Sequence, residues 1–253
     1  IDAHYVNHPG PTVGFKIQTP NKTVGYVTDN EVLLGYLGHP NEIRKDDPLL
    51  EPHLSLIKFL TDCQLIIHEA QYFPKEYHKK IGFLNSNSKV IYNAVDYKRF
   101  KYSISIRKKL RSIYKFHKND LVFLCVGRKD PMKNHSSLIA AFKNIKKKYK
   151  NFKLVLIGKD TETIKVSKGD LALGVQLNIE EYYSMGDIII SVSSFGEGFS
   201  NVLVEGMATK LFPVATDVGD AKFIIEKTGL IIDTPCTISL QPGTSVEMML
   251  RPT

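Results

Sequence analysis

Apolar positions along this chain keep two rhythms, and the change falls near residue 83. Before it, apolar and polar residues alternate over 14–20 (GFKIQTP) and 23–29 (TVGYVTD). That spacing predicts two strands joined by a turn at Asn21–Lys22. A loop with several Pro and Gly follows, then a short amphipathic helix around 53–61 and an apolar run, QLIIHEA (64–70), that predicts a buried strand. After it, continuous apolar runs alternate with helix-period segments. NDLVFLCVGRKDPMKNHSSLIAAF predicts a strand, a glycine turn, a basic loop and an amphipathic helix, and NFKLVLIGKD a second strand. IEEYYSMGDIIISVSSFGEGFSNVLVEGMA predicts a helix, a strand and a helix, LFPVATDVGDAKFII a further strand with a glycine loop, and TGLIID a short last one. Strands and helices alternating at this spacing predict an α/β fold, a Rossmann-like parallel sheet with its site at the carboxyl ends of the strands.

Candidate chemistry concentrates where GDIIISVSS runs into EGFSNVLVE. Glu197 and Glu205 bracket that second segment, with Gly196 and Gly198 where the backbone must turn. Ser200 and Asn201 are placed to cap the helix that begins there. Such a helix aims its free N–H groups and positive end at the space above the strand, a seat for phosphate. Glu205, about a turn inside, accepts hydrogen bonds only when ionised and suits a pair of ribose hydroxyls. The constellation reads as a nucleotide-sugar site.

Composition changes this picture little. With 253 residues, 43% of them hydrophobic, the chain has the length for a real core and the balance of an ordinary globular protein. No apolar run approaches the roughly 20 residues of a membrane helix, and the start lacks a signal peptide's basic-then-apolar order. A cytoplasmic location is the resulting expectation. Three cysteines, Cys63, Cys125 and Cys236, form no metal-type pair, and Cys125 lies in an apolar run that suits a core. The formal net charge is +8, much of it in KNIKKKYKNFK (143–153). A basic helix there could bring the protein to an anionic membrane surface, or be a solvated face. Aromatics are not interleaved in the run as base stacking requires, so no nucleic-acid partner is expected.

Two families enter by resemblance. GYVTDNE and LIIHEAQYFPKEY, in that order, resemble the C-terminal half of metallo-β-lactamase-fold hydrolases over about residues 1–80. There the resemblance implies a partial, β-rich segment in which Asp29 matches an Asp that bridges two metal ions. The family's HxHxDH run occurs nowhere in the chain, and FLNSNSKV stands where its last His ligand belongs. A lone Asp cannot hold a catalytic zinc, so Asp29 is expected to be a relic; His4, His8 and His68 are the remaining candidates. SKVIYNAVDYKRF and the segments after it resemble the C-terminal, donor-binding domain of family 4 retaining glycosyltransferases of GT-B fold, over about residues 83–235. Residues 236–253 match neither and form an unassigned tail.

The second resemblance implies roles residue by residue. In GRKDPMK, Arg128 and Lys133 contact the diphosphate after Gly127, where a planar fork and a point charge both suit phosphate oxygens. Glu197 faces the sugar, the amides of Gly198, Phe199 and Ser200 meet its hydroxyls or the phosphates, and those of Asn201 and Val202 lie near the β-phosphate. Glu205 takes the ribose, and Asp217 and Gly219 sit on a loop that closes the crevice. The stretch between Asp160 and Glu180 is short for the helix and strand that hold the base in that family.

The donor is then a nucleoside-diphosphate sugar with no cofactor required, and the reaction glycosyl transfer with retention. The acceptor domain is missing from the segment before residue 83, so the chain alone is expected to be inactive. Two alternatives stand beside this reading. One is a metal-dependent hydrolase carried by residues 1–80, which would need zinc. The other is a chimeric chain without selected function, whose incomplete domains self-associate through unpaired strand edges.

Overall fold

The computed structural model describes residues 1–6, 11–28, 44, 46–68 and 92–232. They fall into two compact units, Ile1–Ile91 and Tyr92–Thr253.

In the first unit, β1 (Asp2–Tyr5), β2 (Val13–Gln18) and β3 (Thr23–Val27) form an antiparallel meander, and β4 (Leu65–His68) pairs parallel to β3. The turn between β2 and β3 falls where the alternation broke, closed by Thr19 Oγ1 donating to the Lys22 carbonyl at 2.7 Å. Helix α1 (Leu54–Leu60) matches the amphipathic stretch, and its Leu56 is buried with Val6 and Val27 in a small core. The apolar run expected to be a buried strand is not buried. Leu65, Ile66 and Ile67 are 51%, 49% and 48% exposed, and among the described residues β4 pairs only with β3. Asp29, His8, the stretch around residue 83 where the apolar rhythm changes, and the 236–253 tail lie outside the described residues. His4 stacks on Phe59 with ring centroids 5.1 Å apart. Among the described residues, no three His, Cys, Asp or Glu side chains gather as a metal would require.

The second unit begins with α2 (Ile104–Ile113), capped by Ser103, whose side chain accepts from the Ile106 amide. Then come β5 (Leu121–Val126), α3 (His135–Lys148), β6 (Phe152–Ile157), β7 (Leu171–Ala172), α4 (Ile179–Met185), β8 (Ile188–Ser191), α5 (Asn201–Ala208), β9 (Phe212–Thr216), α6 (Ala221–Ile225) and β10 (Leu230–Ile232). All six strands are parallel, in the order β10-β9-β8-β5-β6-β7. From β5 the chain builds outward in one direction through β6 and β7, then crosses back to β8 and builds the other way. Between β5 and β8 the order reverses, and an open α/β sheet offers its crevice at the carboxyl ends of such a pair.

Continuous apolar runs form these strands because both faces are covered. Val122 and Leu124 point into one core with Leu110, Tyr183, Met185, Leu203 and Ile225. Leu121, Phe123 and Cys125 point into the other with Leu138, Phe142 and Phe152. Cys125 is thus buried core, as its run of neighbours predicts. Between Asp160 and Glu180 the chain does supply a strand, β7, paired with β6 and preceded by a 3-10 turn over Thr161–Thr163. Two residues of strand are too few to leave a periodic signal.

One polar cluster ties the helical layer to the sheet. Asp187, just before β8, receives Arg107 Nη2 at 2.5 Å, Arg111 Nη2 at 3.2 Å and the Val122 amide at 2.7 Å. Arg107 also donates to the carbonyls of Met185 and Gly186, closing the end of α4. These side chains are largely buried, so removing the carboxylate strands two cations in a low-dielectric layer. Asp187→Ala is therefore expected to cost about 3 kcal/mol of folding stability, read from denaturant unfolding. A loss under about 0.5 kcal/mol would mean that water already screens the cluster.

Candidate functional site

At the reversal between β5 and β8, three loops are stitched together by backbone. The Ser194 amide donates to the Met132 carbonyl at 2.9 Å, joining the loop after β8 to the loop after β5. The Asp220 amide donates to the Gly198 carbonyl at 3.1 Å, and Thr216 Oγ1 to the Ser193 carbonyl at 2.7 Å, bringing in the loop after β9. Gly219 has φ +63° and lies so close to this seam that a Cβ there would stand 2.6 Å from the Glu197 carbonyl oxygen. Only glycine satisfies both demands.

The loop after β5 carries the cations. Asp130 caps the 3-10 turn Pro131–Lys133, its Oδ1 accepting from the Met132 amide at 2.9 Å. Its Oδ2 accepts from Arg128 Nε at 3.0 Å, and these two bonds, the amide's first, hold the Asp130 carboxyl below its ordinary range. Lys133 folds back along Gly127, with methylenes 3.4–3.5 Å from where a Cβ would be. Its Nζ forms an ion pair with Glu197 Oε1, and Ser193 Oγ donates to that same oxygen at 2.5 Å. Both members of the pair are largely buried, which strengthens the interaction relative to a surface pair.

Lys133 and Glu197, 64 residues apart, therefore converge as expected. Arg128 does not join them: it is exposed and held by Asp130 on its own loop. A guanidinium two residues from a carboxylate on a tight turn finds that partner first.

The backbone turns at Gly196 (φ +71°), just before Glu197, and beyond Glu197 it enters α5. Ser200 sits at the N-cap but its side chain makes no capping bond, contrary to the capping expected of it; the Leu203 and Val204 amides bond its carbonyl instead. Among the described residues, no acceptor meets the amides of Gly198, Phe199, Ser200 and Asn201. Asn201 Oδ1 accepts from Asn93 Nδ2 at 3.1 Å, and Phe199 lies 5.8 Å from Tyr92, which stacks on Phe223 at 4.6 Å. Val202 follows in the first turn, half-buried. Asp217 is exposed and 3.9 Å from Lys222.

On the second turn of α5, Glu205 Oε2 accepts from Tyr183 Oη at 2.6 Å. Burial pushes the Glu205 carboxyl above its ordinary range, opposed by the Tyr183 hydrogen bond and the Arg99 charge. Burial, then the neighbouring carboxylate, pushes the Tyr183 phenol up, keeping it a proton donor. Sequence reasoning missed Ser193, Tyr183, Asn93 and Arg99. Ser193 follows the strand closely enough to be suspected; the other three reach the site through crossings that no local spacing encodes.

With this geometry in view, the comparisons with known proteins say what the second unit is similar to. The family of glycosyl transferases group 1 matches residues 120–239. That stretch, a little under half of the chain, is similar to group 1 glycosyl transferases. The chain is 31% identical over 137 residues to N-acetylgalactosamine-N,N'-diacetylbacillosaminyl-diphospho-undecaprenol 4-alpha-N-acetylgalactosaminyltransferase of Campylobacter jejuni, a match spanning 51% of this chain and 34% of that protein. It is 25% identical over 170 residues to an uncharacterized glycosyltransferase of Methanocaldococcus jannaschii, spanning 63% and 41%. Less than half of either relative's length is therefore matched. Among solved structures, Anabaena HepE in complex with UDP-glucose superposes with TM-score 0.60 at 21% identity, covering 88% of this chain and 60% of that one. A glycosyltransferase from Rickettsia africae gives TM-score 0.61 at 20% identity, covering 73% and 54%. The α/β fold with its parallel sheet is that of the GT-B glycosyltransferases. The first 80 residues lie outside the family match, and their metallo-β-lactamase resemblance finds no support in these relatives.

The raised Glu205 carboxyl has a consequence for the second unit's stability. A folded pKa above the unfolded one means the charged form is disfavoured in the fold: the contribution is full at low pH and is lost as pH rises through the folded value. Glu205→Gln removes that loss. The variant is expected to melt roughly 2–4 °C above the parent at pH 8, with the gap closing below about pH 4. Equal melting temperatures across that range would mean the carboxylate carries no burial cost.

Proposed function

We propose that residues 92–232 hold the donor of a glycosyl transfer, a nucleoside-diphosphate sugar, in the crevice between the carboxyl ends of β5 and β8. The observation that carries this reading is the Lys133–Glu197 pair set beside the start of α5. A cation, a carboxylate and a row of backbone amides that meet no acceptor among the described residues are what a diphosphate and the sugar next to it require. Lys133 would neutralise diphosphate oxygens, and Arg128, held only through Nε, would offer its two Nη groups to the same charge. The amides of Gly198, Phe199, Ser200, Asn201 and Val202 would complete the cradle, Glu197 would accept from sugar hydroxyls and Glu205 from the ribose. Support from outside the chain is the UDP-glucose named with HepE, a protein of the same fold.

In this reading no side chain acts as nucleophile. The leaving diphosphate is stabilised by Lys133, Arg128 and the amides, and itself helps deprotonate the acceptor on the same face of the sugar, giving retention. Charge stabilisation at the leaving group is then the main catalytic term. No metal or other cofactor is required for that step. Two surface features bear on partners. Lys143, Lys147 and Lys148 form an exposed basic face on α3, suited to an anionic membrane surface, while Lys146 and Lys153 lean on Asp170 and Asp120. The exposed apolar edge at Leu65–Ile67 suits self-association.

Calorimetry with UDP and GDP tests the donor assignment. Lys133→Ala should weaken nucleoside-diphosphate affinity at least roughly tenfold, since a charge-assisted hydrogen bond to phosphate is lost. Glu205→Ala should weaken it comparably while leaving inorganic pyrophosphate binding intact. No binding heat with either nucleotide, from protein that unfolds cooperatively, rejects the assignment.

A further inference from the structure

Tyr183 belongs to none of the groups assigned above to the donor. It sits on α4 with no exposed surface, its ring edge-on to Phe100 at a centroid distance of 5.7 Å. A phenol so placed has no water to compete for its proton, and the Glu205 carboxylate is its acceptor, 22 residues away at 2.6 Å. Only Glu205 Oε2 takes part in this bond; among the described residues no hydrogen bond reaches Oε1. Glu205 is half-buried on the side of α5 that meets α4, and Arg99, paired with Glu180 at 3.0 Å, supplies the nearby positive charge.

We propose that Tyr183 is a positioning residue that locks the Glu205 carboxylate in the orientation which receives both ribose hydroxyls of a nucleoside diphosphate. The inference rests on the reading of Glu205 as the ribose acceptor. A glutamate on an open helix face has three rotatable bonds, and a ligand that needs one carboxylate plane must freeze them on binding. Here the freezing is done at folding by a buried donor on a neighbouring helix. A cis-diol is a two-point ligand, so it gains from a fixed carboxylate more than a single hydroxyl does. Tyr183 thereby affects ligand recognition without touching the ligand, and its influence should appear only for ligands that carry the diol.

The test compares UDP and GDP with their 2',3'-dideoxy analogues by calorimetry on the full chain. The parent protein should prefer the ribonucleotide at least roughly tenfold, as expected for hydrogen bonds to a charged group. Tyr183→Phe keeps the ring against Phe100 and should reduce that preference to within about threefold, with dideoxynucleotide affinity unchanged. In the Glu205→Gln background the same change should add nothing, because the two residues act as one unit. A Tyr183→Phe variant that weakens ribo- and dideoxynucleotide equally, or keeps the full preference, overturns the inference while leaving Glu205 as ribose acceptor. A parent that binds both nucleotides but does not distinguish them, or a Glu205→Gln variant that still does, overturns the ribose reading as well. Because phenylalanine at 183 could compromise folding, 3-fluorotyrosine at that position serves as a second probe that retains the hydroxyl and strengthens the donor. With the hydroxyl retained, a ribonucleotide preference kept at the parent level supports positioning, and one that falls to the Tyr183→Phe level overturns it.

Discussion

Everything chemical in this protein depends on how closely the loop after β8 approaches the loop after β5. The Ser194 amide on the Met132 carbonyl fixes that approach, and the Lys133–Glu197 pair forms across it. Neither loop could be brought so near by sequence neighbours, since sixty-four residues separate the two charges. The parallel sheet does it, by placing its first and fourth strands side by side where the strand order reverses. Ser193 and Gly219 then hold the carboxylate's turn from either side, so the carboxylate lies in a low-dielectric recess with its cation already beside it.

The same layer that supports this recess contains a large polar investment. Asp187 gathers two arginines and a strand amide at the entrance to β8, and Glu205 and Tyr183 share a hydrogen bond between α4 and α5. These clusters differ in sign. Asp187 is matched by two opposite charges, so its burial is compensated. Glu205 has a neutral phenol as its nearest partner and stays raised by burial. A carboxylate held uncomfortably on a helix face beside a crevice is an arrangement that stability alone would not favour, and that polar ligands reward.

The first unit follows a different logic. Its small core of Val6, Val27 and Leu56 anchors α1 to a mixed sheet, and the apolar strand β4 is left at the edge. An apolar run signals a buried strand only when something covers both faces, and coverage is a tertiary property. Ser200 teaches a similar lesson. Residue type and position qualified it to cap α5, yet its side chain makes no capping bond and only its carbonyl takes part in the cap. Likewise Arg128 was expected beside Lys133 and Glu197 but pairs with Asp130, two residues away on the same turn.

What the amino-acid sequence determined by itself is the alternation of strands and helices beyond residue 83, the glycine turns, and the residue types of the candidate site from Gly127 to Glu205. These are local properties, written in hydrophobic period and turn chemistry, and they survive any reading that places the strands in parallel. Only the tertiary structure decided which charges meet. Glu197 met Lys133 and not Arg128, Glu205 met Tyr183, and Asn201 met Asn93. It also revealed β7, too short to mark the sequence, and exposed the strand that its composition had promised to the core. The reason is physical: a periodic pattern reports the environment along one element, whereas a contact between elements depends on strand order and on which of several neighbours reaches a polar atom first.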